Sequence, residues 1–278
     1  MKKAIHLAYK DGWEDQLRDA KAAGFRYVEW GFNTAHMALE APECIAEKLM
    51  GAMEECGVHC VTTHLPFYSL FDDAEELDET VEKAIKDAIC LSGMLGASAA
   101  AYHPRSSTKH NFSVRRAEAA LHGVMPGYLE LAEKYGTRIA IENLAVFPDH
   151  PDLLFYGSRY EDLVRIVDHY ASPLFGICWD TGHANLMHLD QYEILKEIGH
   201  RLIATHVHDN CGFHDDHSFP SLGTADFSRI MPAFREIGYD GPLMLELKLP
   251  PPRVRRSYQA LAFDLLCWLE ELAEGEVK

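Results

Sequence analysis

The chain has 278 residues, 47% of them hydrophobic, and its 26 basic and 43 acidic residues leave a formal net charge of −17. That composition supplies a large apolar core and excludes general disorder, while so acidic a surface repels phosphate backbones and argues against nucleic acid as a partner. No apolar run approaches the roughly 20 residues of a membrane span, the stretch after Met1-Lys2-Lys3 is too short and polar for a signal peptide, and the seven cysteines contain no CxxC pair, so reduced thiols, no membrane and a cytoplasmic location are expected.

Short apolar, β-branched or aromatic runs alternate with longer amphipathic stretches from end to end. In chain order, a strand at Ala4–Tyr9 precedes a helix over Trp13–Ala23, and Tyr27–Gly31 precedes Pro42–Cys56. The pattern repeats with His59–His64 and Leu77–Leu95, Ala99–His103 and Val114–Tyr135, and Arg138–Asn143 and Glu161–Tyr170. Strands at Phe175–Asp180, Ile203–His208 and Leu243–Lys248 complete it, with a helix over Phe227–Ile237. Ser158-x-x-Glu161 and Asp190-x-x-Glu193 have capping-box spacing and mark helix starts. Gly24, Gly57, Gly96, Gly136, Gly199 and Gly238 each close a helical run before a strand, as C-terminal caps do. Eight such units without a linker predict one α/β domain over residues 1–278, a parallel (β/α)8 TIM barrel. A doubly wound sheet fits less well, because no GxGxxG follows the first strand.

The chemistry lies at the strand ends. Strand two ends at Glu29, three at His64, four at His103, five at Glu142, six at Asp180, seven at His206 and His208, and eight at Glu246. In a barrel these ends share one rim. A lone histidine or carboxylate there is ordinarily a hydrogen-bonded rim group, and Asp180 alone reads as a helix cap. As a set they demand more, because Glu142, Asp180 and Glu246 would repel one another without a cation between them. Hard oxygen donors with imidazole and no thiolate suit Mn2+, Zn2+, Co2+ or Mg2+. His206 is preferred to His208 as the ligand, with His208 behind it or toward substrate. Trp30, Phe67 and Trp179 could stack on a sugar face, although ordinary packing is the stronger reading for such aromatics; Glu29 could meet a substrate hydroxyl or form a structural ion pair, and Arg105 and Lys248 could meet an anionic group. Arg253, Arg255 and Arg256 read as solvated charges opening the last helix.

Two local phrases sharpen the pattern: Asp180-Thr181-Gly182-His183, and His206-x-x-Asp209 followed by Asp215-Asp216-His217. Together with His64, His103, Ile141-Glu142-Asn143 and Leu245-Glu246, they resemble the xylose isomerase-like barrels over nearly the whole chain. The resemblance to that family's sugar epimerases implies one divalent ion, commonly manganese, held by Glu142, Asp180, His206 and Glu246. It further implies that Glu142 and Glu246 move the proton beside a metal-polarised carbonyl and that His183 contacts substrate. The endonuclease IV branch implies more, since positions matching His64, His103, His183, Asp215 and His217 there join the four to bind three zinc ions. One departure from the epimerase pattern is the lack of any arginine between His206 and Arg229. The expectation is therefore a sugar or sugar phosphate isomerase or epimerase using one to three ions on a small carbohydrate, with a multi-zinc phosphoester hydrolase as the alternative. A homo-oligomer is compatible with it.

Overall fold

The computed structural model describes residues 1–68, 77–105, 114–146 and 155–275. Eight strands form a parallel sheet: β1 (Lys2–Ala8), β2 (Tyr27–Gly31), β3 (His59–His64), β4 (Ala99–Tyr102), β5 (Ile139–Glu142), β6 (Phe175–Asp180), β7 (Leu202–His206) and β8 (Pro242–Leu245). Between and around them run helices α1 (Trp13–Ala22), α2 (Thr34–Met37), α3 (Pro42–Cys56), α4 (Glu79–Met94), α5 (Val114–Tyr135) and α6 (Tyr160–Tyr170), followed by α7 (Thr181–Leu186), α8 (Gln191–Ile198), α9 (Phe227–Glu236) and α10 (Pro252–Glu274). The sheet order is β7-β6-β5-β4-β3-β2-β1-β8. It closes where the Val207 amide donates to the Met244 carbonyl at 2.7 Å and Val207 bridges Leu245. The molecule is a (β/α)8 TIM barrel.

Strand alternation sorts side chains into two sets. Ile5, Leu7, Val28, Trp30, Ile139, Ile141, Ile177 and Trp179 face outward into the main apolar cluster beneath the helices. The inward set is small: Ala99, Ala101, Ala140, Cys178 and Ala204 pack together inside, as do Ala4, Val61 and Met244. This low floor leaves the upper interior to the next inward residue of each strand, and those are the polar ones. On β3 the pairing with β2 shifts between Val28 and Glu29. Val61 and His64, three residues apart, thereby both reach the interior, while Thr63 turns out to the Ser92 hydroxyl.

The six glycines expected to end helices all have positive φ. Asp190 caps α8 through the Glu193 amide as its spacing predicts, but Ser158 does not cap α6. Its hydroxyl donates instead to the Phe155 carbonyl at 2.7 Å, and the N-cap position falls on Arg159. Arg255 is not a solvated charge either: it is buried and its Nε donates to Asp19 at 2.8 Å, tying α10 to α1. No helix among the described residues is long and apolar enough to cross a membrane.

Gly93 marks the closest approach of α4 to the end of α5, since a Cβ there would lie 2.2 Å from the Tyr135 carbonyl oxygen. Backbone cannot yield as a flexible side chain does. Gly93→Ala should therefore cost about 1–3 kcal/mol, typical of overpacking. The check is the urea midpoint of the variant against the parent chain.

Candidate metal centre

The polar upper layer of the barrel is assembled by register. Glu142 and Asp180 end β5 and β6, His206 ends β7, and Glu246 follows β8. One ligand atom from each lies within 4.8 Å of every other. Glu142, Asp180 and His206 are fully buried, while the Glu246 side chain keeps 15% exposure toward the mouth. His206 Nδ1 stands 3.0 Å from Glu142 Oε2 and 3.3 Å from Glu246 Oε2.

Neither oxygen of Glu142 has a hydrogen-bond partner, and neither does His206 Nδ1. Burying such groups unpaired costs several kcal/mol, so their convergence marks a place for a ligand. Three carboxylates and one imidazole form a donor set for a hard or borderline divalent cation. The residues fit the ion that their types suggest.

Electrostatics agree with that geometry. Burial pushes the carboxyls of Glu142 and Asp180 up, but His206 and His103 hold the first well below the usual range, and His183 and His208 hold the second below it. Glu246 is likewise lowered against burial by His206 and His217. His206 and His183 are raised in return: burial opposes the shift, but Cys178, Glu142, Glu246 and Glu29 outweigh it at His206, and Asp180, Asp215 and Glu142 at His183.

Surrounding groups hold the four in place. Asp180 does two things at once, accepting the His183 amide at 2.6 Å as the cap of α7 and meeting His208 Nε2 at 2.9 Å through its other oxygen. His208 is thus behind Asp180, at a distance allowed by Gly182, where any Cβ would fall 1.9 Å from the imidazole. Asn143 clamps the same strand end, its amide donating to the Asp180 carbonyl and its Oδ1 accepting the Asp180 amide at 2.6 Å. The Asn143 carbonyl also faces His183 Nδ1 at 2.8 Å.

The remaining expected residues fall on two sides of this cluster. His64 Nδ1 meets the Leu65 carbonyl, and its Nε2 lies 3.3 Å from His103 Nε2, with Glu142 Oε2 3.7 and 3.2 Å from the two rings. Burial and the neighbouring His103 lower His64 to about 4, so it offers a lone pair. On the other side Asp215 approaches His183 Nε2 at 3.6 Å and His217 Nε2 at 3.0 Å, and the His217 ring stacks on His208 with centroids 4.1 Å apart. His64 with His103 and Glu142, and His208 with His217 and Glu246, are further groups with metal-ligand spacing.

Several substrate candidates land elsewhere. Trp179 is not at the mouth: Asp180 beside it points in, so Trp179 points out, fully buried with its indole N–H donating to Gln191 at 3.0 Å. Trp30 is buried outward in the same way, against Met53. Phe67 stays 48% exposed with its ring 4.6 Å from that of His103, on the rim. Arg105 is buried with its guanidinium over the Tyr68 ring. Lys248 is exposed, and its Nζ donates to the Asp215 carbonyl. Glu29 lies inside the barrel between His6 and His206.

Sequence reading missed His6, which takes the place of strand one in the polar layer; even-numbered alternation with Ala4 was the available signal. It also missed how Asp209 works. Its carboxylate accepts the amides of Asn210, Gly223 and Ala225, tying the long loop after β7 to the end of that strand.

A family model described as the xylose isomerase-like TIM barrel matches residues 17–264. The uncharacterized protein MJ1311 of Methanocaldococcus jannaschii is 30% identical over 68% of this chain, which spans 64% of that relative's length. L-ribulose-5-phosphate 3-epimerase UlaE of Shigella flexneri is 26% identical over 84% of this chain and 82% of its own. Among solved structures, a D-tagatose 3-epimerase-like protein superposes with a TM-score of 0.76 at 22% identity, covering 100% of both chains. D-psicose 3-epimerase from Clostridium cellulolyticum H10, crystallised with D-tagatose, gives 0.75 at 14% identity over 98% of this chain and 99% of that one.

The Asp215–His217 pair has a pH signature in metal-stripped protein. Against burial, the hydrogen bond to Asp215 and the nearby Glu246 raise His217 to about 9. A raised histidine contributes its stability in full below its unfolded value near 6.5 and loses it as pH climbs through 9. The contribution is on the order of 3 kcal/mol. Urea midpoints of the chelated protein should fall across that window, and Asp215→Asn should flatten the fall.

Proposed function

Because the chain belongs to the xylose isomerase-like TIM-barrel family, we propose that it is a divalent-metal-dependent isomerase or epimerase of a small sugar or sugar phosphate. One observation carries this reading: the unpartnered oxygens of Glu142 and Nδ1 of His206 converge in a buried group with Asp180 and Glu246. These four would hold the ion, with Mn2+ or Zn2+ suited to the donor set. When bound, such an ion polarises a carbonyl and its neighbouring hydroxyl and so acidifies the C–H bond between them. The likeness to UlaE, named for epimerising L-ribulose 5-phosphate, supports that chemistry.

Within the site, Glu142 and Glu246 would serve as the acid–base pair. They come from different strands, each presents a carboxylate held ionised by neighbouring histidines, and an ionised carboxylate is the form that accepts a proton. One would take the proton from carbon, and the other, first protonated from solvent, would return one to carbon. His183, whose Nδ1 is engaged by the Asn143 carbonyl, turns Nε2 toward Asp215 at 3.6 Å and would meet a substrate oxygen there. Phe67 on the rim offers an apolar face, and Lys248 a cation beside the loop, for the far end of the substrate.

A second reading, phosphoester hydrolysis by clustered ions, is favoured by the convergence of His64, His103, His183, Asp215 and His217 on the same mouth. Ion number distinguishes the two. One ion per chain suits proton transfer, whereas two or three would suit activation of water and stabilisation of a leaving oxygen.

The experiment is elemental analysis of the purified protein together with a panel of ketoses and ketose phosphates incubated in heavy water. The expected outcome is bound Mn2+ or Zn2+ and deuterium uptake at the carbon next to the carbonyl, with no phosphate released. Glu142→Gln should reduce that exchange by about 100-fold or more while metal is partly retained. Undiminished exchange in the variant would refute the role given to Glu142.

A further inference from the structure

We infer that Glu29, braced by His6, is a positioning residue that fixes the orientation and tautomer of His206 so that Nδ1 is the nitrogen presented to the metal. The inference rests on the metal reading above and adds a part of the site that the four proposed ligands leave unexplained. Glu29 is 1% exposed, and both of its oxygens are engaged. Oε1 meets His6 Nδ1 at 2.9 Å, and Oε1 and Oε2 lie 3.3 and 3.4 Å from His206 Nε2. A carboxylate accepts and does not donate, so the hydrogen between Glu29 and His206 sits on Nε2. Imidazole protonated there and otherwise neutral has its lone pair on Nδ1. That nitrogen lacks a hydrogen-bond partner and faces Glu142 and Glu246.

His6 has a corresponding purpose. A carboxylate deep in a barrel is costly unless donors surround it, and His6 supplies the second one from the residue paired with Glu29 in the β1–β2 register. Its ring fits over Gly31, where a Cβ would come within 2.4 Å of His6 Cε1. Gly31 does not adopt positive φ, so glycine is required there by the imidazole rather than by the backbone. His6, Glu29, Gly31 and His206 thus form one unit running from β1 across β2 to β7. The depth of Glu29 and the engagement of both oxygens argue against the alternative that it binds a substrate hydroxyl.

Carboxylates behind metal-bound histidines commonly matter 10- to 100-fold in metal affinity. The test is Mn2+ affinity by electron paramagnetic resonance, with visible absorption of the Co2+-loaded protein, on the parent chain and on Glu29→Gln, Glu29→Ala, His6→Gln and His206→Ala. Circular dichroism of each metal-free variant checks the fold. The expected result is a loss of about 10- to 100-fold for Glu29→Ala, a smaller loss for Glu29→Gln and His6→Gln, and an altered Co2+ spectrum. Adding Glu29→Ala to His206→Ala should weaken binding no further, because Glu29 acts through that imidazole. If Glu29→Ala misfolds, His6→Gln carries the test at a half-buried position. Unchanged affinity and spectrum in folded variants, with metal bound by the parent chain, would overturn this inference alone. A parent chain that takes up none of Mn2+, Co2+ or Zn2+ would overturn the metal reading and this inference with it.

Discussion

The structure is organised around negative charge confined to one end of a barrel. Glu29, Glu142, Asp180 and Glu246 all lie in the upper interior, and the first three are essentially without solvent. Carboxylates so placed are stable only if positive partners or hydrogen-bond donors reach them. The surrounding architecture is a response to that constraint. Small inward side chains below, chiefly alanine, leave the polar layer room. Histidines from β1, β3, the ends of β4 and β7, and the loops fill the gaps between the carboxylates. Gly31 and Gly182 have no side chain because an imidazole occupies the space a methyl group would take.

Within this arrangement the carboxylates are not equivalent. Glu29 has its oxygens occupied by two imidazoles, and Asp180 has one oxygen on a helix amide and the other on His208. Glu142 differs: four histidines stand near it, yet none meets it with hydrogen-bond geometry. Its two oxygens are thus left without a hydrogen-bond partner in the midst of the cluster. Glu246 differs again in being partly open to the mouth. That gradient, from clamped to unpartnered to solvent-facing, is what a site requires if some carboxylates are to orient, others to bind, and others to exchange protons.

Much of this was legible in the sequence because strand alternation is rigid. Once β6 is known to end at Asp180, the inward direction of Asp180 and the small inward neighbours Gly176 and Cys178 follow. The same parity places Trp179 outward, in keeping with ordinary packing rather than with stacking on a substrate. His6 was passed over for a related reason: attention to strand ends misses a residue two places short of the end of β1 when its partner Glu29 is similarly short of the end of β2. The register shift between β2 and β3, the bridge that closes β7 to β8 and the loop organised by Asp209 depend on pairings remote in sequence, and no local pattern encodes them. Ser158 had the spacing of a cap, but a hydroxyl competing for a nearer carbonyl went elsewhere.

Fold alone does not choose a reaction, since one barrel supports many chemistries through its mouth. What narrows the choice is the way the two outer groups join the central four. His64 and His103 reach the cluster through Glu142, and Asp215 and His217 reach it through His183, His208 and Glu246. Each outer group therefore shares a side chain with the centre, so filling it would place a further ion on a carboxylate that the central four already use. An ion between His64, His103 and Glu142 would rest on Glu142, and one between His208 and His217 on Glu246. The isomerase and hydrolase readings thus draw on the same residues. Occupancy of the outer groups, rather than any difference in the barrel, would separate the two readings.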